Sequence, residues 1–445
     1  VVPGGWARSG VTWKLKGVLV AHLQEHRLAV RALAASHDSV FVASASDDGT
    51  VKIWDCRRVE KDVSFRSRLT YSAQGGRVLA VSMCSQPGLV ASASSNGSVH
   101  VFRVDYVPRV GGGADRYVSA NEVRHVDTGE GAVMVLKQCG HLVLYATQRG
   151  LVHAWDLRTG KEAWCLRTSP CEGLLQHMAL DPFADSWLVT GSSAGFLGLW
   201  DLRFQLQLKQ WRHPGHGIME VVQPLYTNRE PLMWIAAGRD EMALWDVESG
   251  LPRKVLRVLQ SSNPAEPPPA LDAVPVALGG RAHPPAQSHT SLRTEELDEP
   301  PPRPPGMRAV VPLAKDAVLT AGSDCAIRLW EPSRPDRCEM VCAPAPAGAT
   351  APLQHYDVRL IKGVSILQEV HGAGGGGSYS PASYAPNLRS PATGSGALQA
   401  AAAHLQGSSG RMDAHRDCIN DMVIVEGHQR LLMSASRDGV VKAWK

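Results

Sequence analysis

His26, Ser44 and Asp48 have the residue types of an acyl-transfer site: a base, a hydroxyl nucleophile and an orienting carboxylate. The trio returns as His415, Ser434 and Asp438 near the other end of the chain. Each copy stands in nearly the same relation to an apolar anchor. His26 is 28 residues and Asp48 six residues before Trp54; His415 is 29 and Asp438 six before Trp444. A catalytic site is needed once, whereas a structural device is needed in every unit that uses it. The trio therefore reads as a buried hydrogen-bond network. The carboxylate is the acceptor, and imidazole N–H, hydroxyl and indole N–H are the donors. Asp324, six residues before Trp330, takes the same place in a third unit. Asn96, Arg149, Ala194 and Arg239 stand there in the other four, which are expected to rely on apolar packing.

Other chemistry-like strings are weaker. His415-Arg416-Asp417 spells a protein-kinase triplet, but Met422 stands where Asn is required and no Asp-Phe-Gly follows. Gly372, Gly374 and Gly377 match a dinucleotide-binding pattern only inside low-complexity sequence. Cys338 and Cys342 have no second pair nearby, so packed thiols are expected rather than zinc. Asn96-Gly97-Ser98 is a glycosylation sequon at a turn; Ser380-Pro381 and Ser390-Pro391 read as ordinary linker composition. No catalytic residue, metal ligand or cofactor site is assigned.

The elements that carry these residues repeat. A small-residue strand, a tight turn and a strand ending in an aromatic anchor occur seven times, with anchors Trp54, Phe102, Trp155, Trp200, Trp245, Trp330 and Trp444. Such repetition predicts a β-propeller of seven blades. The last two spacings each hold a blade plus an insertion. Residues 260–306 are Pro-rich and 372–410 Gly/Ser/Ala-rich, and both are expected to be disordered. Both should leave on one face; the Gly-rich loop 107–116 should leave on the other, before an outer strand at Asn121 to Val126. Lys254 to Leu259 suits the outer strand of the fifth blade. The last blade lacks a fourth strand, and residues 17–22 are expected to supply it beside 440–444, removing an exposed edge. The turn residues Asp47, Ser95, Gln148, Ser193, Gly238, Ser323 and Arg437 should ring one mouth of the propeller. We read 1–14 as a leader and 15–445 as the propeller.

Bulk properties agree with a binding platform. The chain has 445 residues and a net charge of +4 with mixed signs, which argues against nucleic acid. Nine scattered cysteines without a C-x-x-C pair suggest reduced thiols in the cytoplasm. No apolar run reaches membrane-spanning length. Val1 in place of Met suggests the C-terminal part of a longer polypeptide.

The repeats resemble WD repeats, in which His, Asp, a strand Ser or Thr and the Trp form one network; the expected class is an all-β, seven-bladed WD40 β-propeller with long disordered insertions. The resemblance narrows further on Leu19-Val20-Ala21-His22-Leu23-Gln24-Glu25-His26, Asp48 to Trp54, Leu69-Thr70-Tyr71-Ser72, Gly75-Gly76-Arg77-Val78, Trp200 to Leu206 and Ala435 to Lys445. Together these resemble the C-terminal propeller of the large, protein-kinase-like regulatory subunit of the class III phosphatidylinositol 3-kinase complex. The resemblance implies a non-catalytic scaffold that assembles the lipid kinase catalytic subunit with Beclin-type coiled-coil subunits. It implies phosphatidylinositol 3-phosphate production for autophagy and endosomal sorting. It also implies a cytoplasmic location, peripheral on late endosome and autophagosome-forming membranes through the complex. A full-length protein of this kind carries a kinase label from a region absent here. The alternatives are a generic WD-repeat adaptor or a phosphoinositide-binding propeller. The latter resembles a Phe-Arg-Arg-Gly signature, of which Phe65-Arg66-Ser67-Arg68 lacks the second Arg and the Gly.

Overall fold

The computed structural model describes residues 13–59, 66–107, 116–181, 186–213, 218–222, 231–237, 240–258, 268–276, 306–314, 317–344, 354–371, 414–427 and 430–445. They form seven antiparallel blades, a seven-bladed propeller. Blade 1 runs from the inner strand Val30–Ala35 through Phe41–Ser46 and Val51–Asp55 to the outer strand Leu69–Tyr71. The second strand of each blade is almost fully buried, as in Phe41–Ser46, where all six residues are inaccessible. A blade packs both faces against its neighbours, so its middle strands lack the polar–apolar alternation of a one-sided sheet. Small Ala and Ser side chains let adjacent sheets approach.

The core is divided into wedges between blades. Each wedge holds one anchor: Trp54 packs with Leu23, Met433 and Val441 of the last blade, and Trp444 with Ala309 and Leu319 of the sixth. Phe102, Trp155, Trp200, Trp245 and Trp330 fill the other five seams. All seven inner strands shift register after their first residue, as between Val30 and Ala32 or Ile419 and Asp421. A bulge at this place bends the strand along the axial channel.

The ring closes as expected. Leu19–Leu23 lies antiparallel to Val441–Trp444, with Leu19 opposite Trp444 and Leu23 opposite Val441. Lys445 N–H donates to Val18 O at 2.9 Å, extending the seam. Trp13 and Lys14, assigned to the leader, sit on the ring: Arg430 lies over the Trp13 ring and Lys14 pairs with Glu339 at 3.0 Å.

Several expectations need correction. The outer strand of blade 2 is Arg116–Asp127, longer than Asn121 to Val126, because Ser98–Val107 also continues beyond the blade and pairs with it throughout. The fifth outer strand is Leu251–Val258. Part of 260–306 is ordered: Pro269–Asp272 forms a 3-10 turn and Val274–Pro275 pairs with Trp211 and Arg212 on the edge of blade 4. Ala270 and Leu271 supply apolar contacts there, and Pro269 suits the start of the turn. A hairpin, Gln354–Ile361 and Val364–His371, went unanticipated. It adds to the outer edge of blade 5, Val364–His371 running parallel to Leu251–Val258, and makes a six-stranded sheet. Residues 108–115 and 372–410 lie outside the described residues.

Candidate functional site

His26, Ser44, Asp48 and Trp54 meet in blade 1. The Trp54 indole donates to Ser44 Oγ at 2.8 Å, Ser44 Oγ is 2.7 Å from His26 Nε2, and His26 Nδ1 is 2.9 Å from Asp48 Oδ2. Because the Asp48 carboxylate can only accept, His26 donates to it through Nδ1–H, which leaves Nε2 to accept from the Ser44 hydroxyl while that oxygen accepts from the indole. Burial opposes Asp48 ionisation, but bonds from His26, Thr50 and the Arg27 N–H outweigh it and hold the carboxyl well below the usual carboxylate range. Trp444 to Ser434, Ser434 to His415 and His415 to Asp438 repeat the arrangement at 2.8, 2.8 and 3.2 Å. There burial of Asp438 is outweighed mainly by His415, and the carboxyl falls to about 2. Burial pushes His415 downward despite Asp438. Ser44 and Ser434 are fully buried beneath the indoles, so neither hydroxyl can meet a substrate.

Asp324 behaves differently. Trp330 donates to Thr320 Oγ1 at 2.8 Å, and among the described residues no histidine joins that pair. Asp324 binds Arg328 at 2.5 Å, and Arg328 Nε donates to Glu369 on the added hairpin at 2.6 Å. A buried guanidinium has replaced the buried imidazole, and its second carboxylate comes from 41 residues downstream.

The remaining blades are not braced by apolar packing alone, a second correction. In blade 2, Gln74 stands 28 residues before Phe102 and is buried. It accepts from Ser92 at 2.5 Å and donates to the Ser92 and Ser98 carbonyls, while Asn96 Nδ2 donates to the Gln74 carbonyl. Amides do without charge what His and Asp do with it. Glu172, 28 residues before Trp200, is also buried and accepts from the Ser169 N–H, while Trp200 donates to Thr190. In blade 5, Glu241 accepts from the Ala270 N–H at 2.8 Å. The offset of 28 from an aromatic anchor was the signal for Gln74 and Glu172; no local signal marks Glu241 or Glu369.

The turn residues occupy equivalent positions. The backbone N–H groups of Asp47, Ser95, Gln148, Ser193, Ser323 and Arg437 donate to the carbonyls of Ala29, Arg77, Ala132, Leu174, Gly306 and Cys418 at the head of their own inner strands. Gly238 lies outside the described residues. Asp47 also pairs with Arg31, while Ser95, Ser193 and Gln148 cap backbone N–H groups. These side chains therefore brace their turns.

Exposed apolar side chains gather on the side of the ring. Phe204, Leu206 and Leu208 lie along the turn and outer strand of blade 4, and Leu251 begins the outer strand of blade 5. Lys209 reaches the Glu248 carbonyl, which ties these two edges together. Isolated exposed apolar residues are ordinary; several on adjoining strand edges form a candidate interaction surface. A small cleft between blade 1 and the closing strand is lined by Leu23, Trp54, Asp55, Arg58, Val59, Arg66 and Arg68.

The "WD domain, G-beta repeat" family matches residues 17–55 and 407–445, the stretches that carry the two complete networks. Over 97% of its length the chain is 36% identical to the serine/threonine-protein kinase VPS15 of Arabidopsis thaliana. The propeller fits the WD-repeat region of VPS15 proteins. It is 37% identical over 56% of its length to a probable serine/threonine-protein kinase vps15 of Dictyostelium discoideum, and 27% identical over 45% to a putative VPS15 kinase of Komagataella pastoris. The alignments cover 29%, 13% and 15% of those relatives, so the chain spans less than a third of the VPS15 proteins it matches. Those longer proteins are named as kinases; this chain is a WD-repeat propeller, a non-catalytic fold.

Proposed function

We propose that this propeller is a non-catalytic scaffold of the class III phosphatidylinositol 3-kinase complex, holding the lipid kinase catalytic subunit together with Beclin-type coiled-coil subunits. Its product, phosphatidylinositol 3-phosphate, would serve autophagy and endosomal sorting, with the cytoplasmic complex peripheral on late endosome and autophagosome-forming membranes. The observation that carries this reading is likeness to VPS15 along 97% of the chain rather than in the WD repeats alone. The apolar side of blades 4 and 5 supports it, since an amphipathic coiled coil buries an apolar stripe along a ridge. Co-purification of the chain with the lipid kinase and the coiled-coil subunits tests it. Recovery of these subunits with the chain, and their loss on Leu206→Asp with Leu208→Asp in a folded ring, is expected. A folded wild-type chain that captures none of them overturns the reading.

The second reading, a phosphoinositide-binding propeller, draws on the cleft that gathers Arg58, Arg66 and Arg68. Flotation of the chain with vesicles containing phosphatidylinositol 3-phosphate would favour it; membrane association only in the presence of the complex favours the scaffold.

A further inference from the structure

Blade 3 has Arg149 where Asp stands in blades 1 and 7, and His153, Glu162 and Cys165 lie on its two outer strands. His153 is buried on the strand Leu151–Asp156 and stacks on Tyr145 with ring centroids 5.1 Å apart. Its two nitrogens face two carboxylates. Nε2 is 2.9 Å from Glu130 Oε2, and Nδ1 is 3.0 Å from Glu162 Oε1. Glu130 is itself held by the Thr147 hydroxyl at 2.9 Å. Cys165 lies directly across the ladder from His153. One donor atom each from His153, Glu162 and Cys165 fall within 4.8 Å of one another.

A neutral imidazole has one N–H. When Nε2 donates to Glu130, Nδ1 turns a lone pair toward a Glu162 oxygen that also offers only lone pairs. Two acceptors at that distance repel unless a positive charge lies between them. A proton would meet the needs of the nitrogen and the carboxylate, with the thiol turned to the Leu166 carbonyl at 3.8 Å. A metal ion would use all three.

We propose that His153 Nδ1, a Glu162 carboxylate oxygen and Cys165 Sγ form a binding site for a divalent cation of the zinc class. Nitrogen, oxygen and one sulfur suit a borderline-soft ion that accepts tetrahedral coordination. Three protein ligands leave the fourth position for water. Glu130 is the outer carboxylate that fixes the ring's tautomer and direction, the arrangement metal-binding histidines ordinarily show. Stacking on Tyr145 limits rotation of the ring, so the site is built before an ion arrives. Glu162 and Cys165 are exposed, which gives the ion its path. Burial and the adjacent Glu162 push the Cys165 thiol up, so the ion must displace its proton.

Cobalt(II) is the probe, because a thiolate ligand gives it a charge-transfer band in the near ultraviolet. The whole chain, reduced and freed of metal with a chelator, is titrated with cobalt and then with zinc. One equivalent of cobalt should produce the band, and zinc should bleach it. Cys165→Ala, at an exposed position, should abolish the band with the melting temperature unchanged. Glu130→Gln should keep the band but weaken binding by about 10–100-fold. A folded wild-type chain that gives no band overturns the proposal. A band that survives Cys165→Ala overturns it too, since another thiol would then be the ligand.

Discussion

Asp48 and Asp438 each accept a histidine and several N–H or O–H donors in a space that water hardly enters. Truncating either to Ala leaves those donors unpaired, so each substitution should cost about 1–3 kcal/mol. Urea denaturation of the single variants measures this; a loss below the error of the method would show that the donors find water instead. Because both folded carboxyls titrate below their unfolded values, their contribution is complete above about pH 4 and fades as pH falls through the folded value, about 2 for Asp438. Asp421 has the opposite sign. It lies on the inner strand of blade 7 and accepts from the Leu33 N–H of blade 1 at 2.7 Å. Burial, reinforced by the nearby charge of Glu220, raises it to about 7 against the Leu33 bond. The folded chain therefore holds an extra proton between about pH 4 and 7, and stability from this group falls as pH rises through that window. Asp421→Asn removes the slope: its stability relative to wild type should climb from pH 5 to 7 and then level. A constant difference across that range would show that Asp421 ionises normally.

At the scale of elements, two additions to the repeat matter most. The closing strand Leu19–Leu23 buries Ala21 and Leu23 in the wedge that holds Trp54. Truncation through Leu23 opens an edge and uncovers that wedge, so destabilisation of about 3 kcal/mol or more is expected, seen as a lower melting temperature. An unchanged melting temperature would mean the edge was not held by this strand. The hairpin 354–371 is locked to blade 6 by Arg328 and Glu369, both buried. Glu369→Ala strands part of a buried charge and should cost about 3–5 kcal/mol, whereas Arg328→Met with Glu369→Leu should recover most of it. Denaturation of both variants separates the cost of breaking the pair from its net worth. Equal losses in the two would show that packing, not the uncompensated charge, dominates.

Across the whole molecule, the described ends of the stretches 277–305 and 372–413 lead into the inner strands of blades 6 and 7, on the face of the turn residues. The apolar surface of blades 4 and 5 lies on the side of the ring. A long coiled coil docked there need not meet either stretch. Excising both should leave assembly with the coiled-coil subunits intact in co-purification, and their loss from a folded ring would place them on the mouth instead. The seven-blade count, the anchors and the closing strand were legible in the sequence because each is set by a local phrase: a small-residue strand, a tight turn, an aromatic at fixed distance. The braces of the middle blades were not, because their buried members are not the His and Asp that mark the complete networks. Gln74 and Glu172 keep the offset of the histidine but not its type.

Sequence alone determined the repeat, since burial between two neighbouring blades demands the same small and aromatic residues each time. It also determined the two charged networks, whose members lie within 30 residues of their anchor. Tertiary structure decided the buried polar pairs that join distant stretches. Glu369 meets Arg328 across the described blade-5 edge, Ala270 meets Glu241 on the same blade, and Leu33 meets Asp421 where the ring closes. No local pattern announces such pairs, because a buried charge can be satisfied by any partner the fold carries to it, from any distance along the chain.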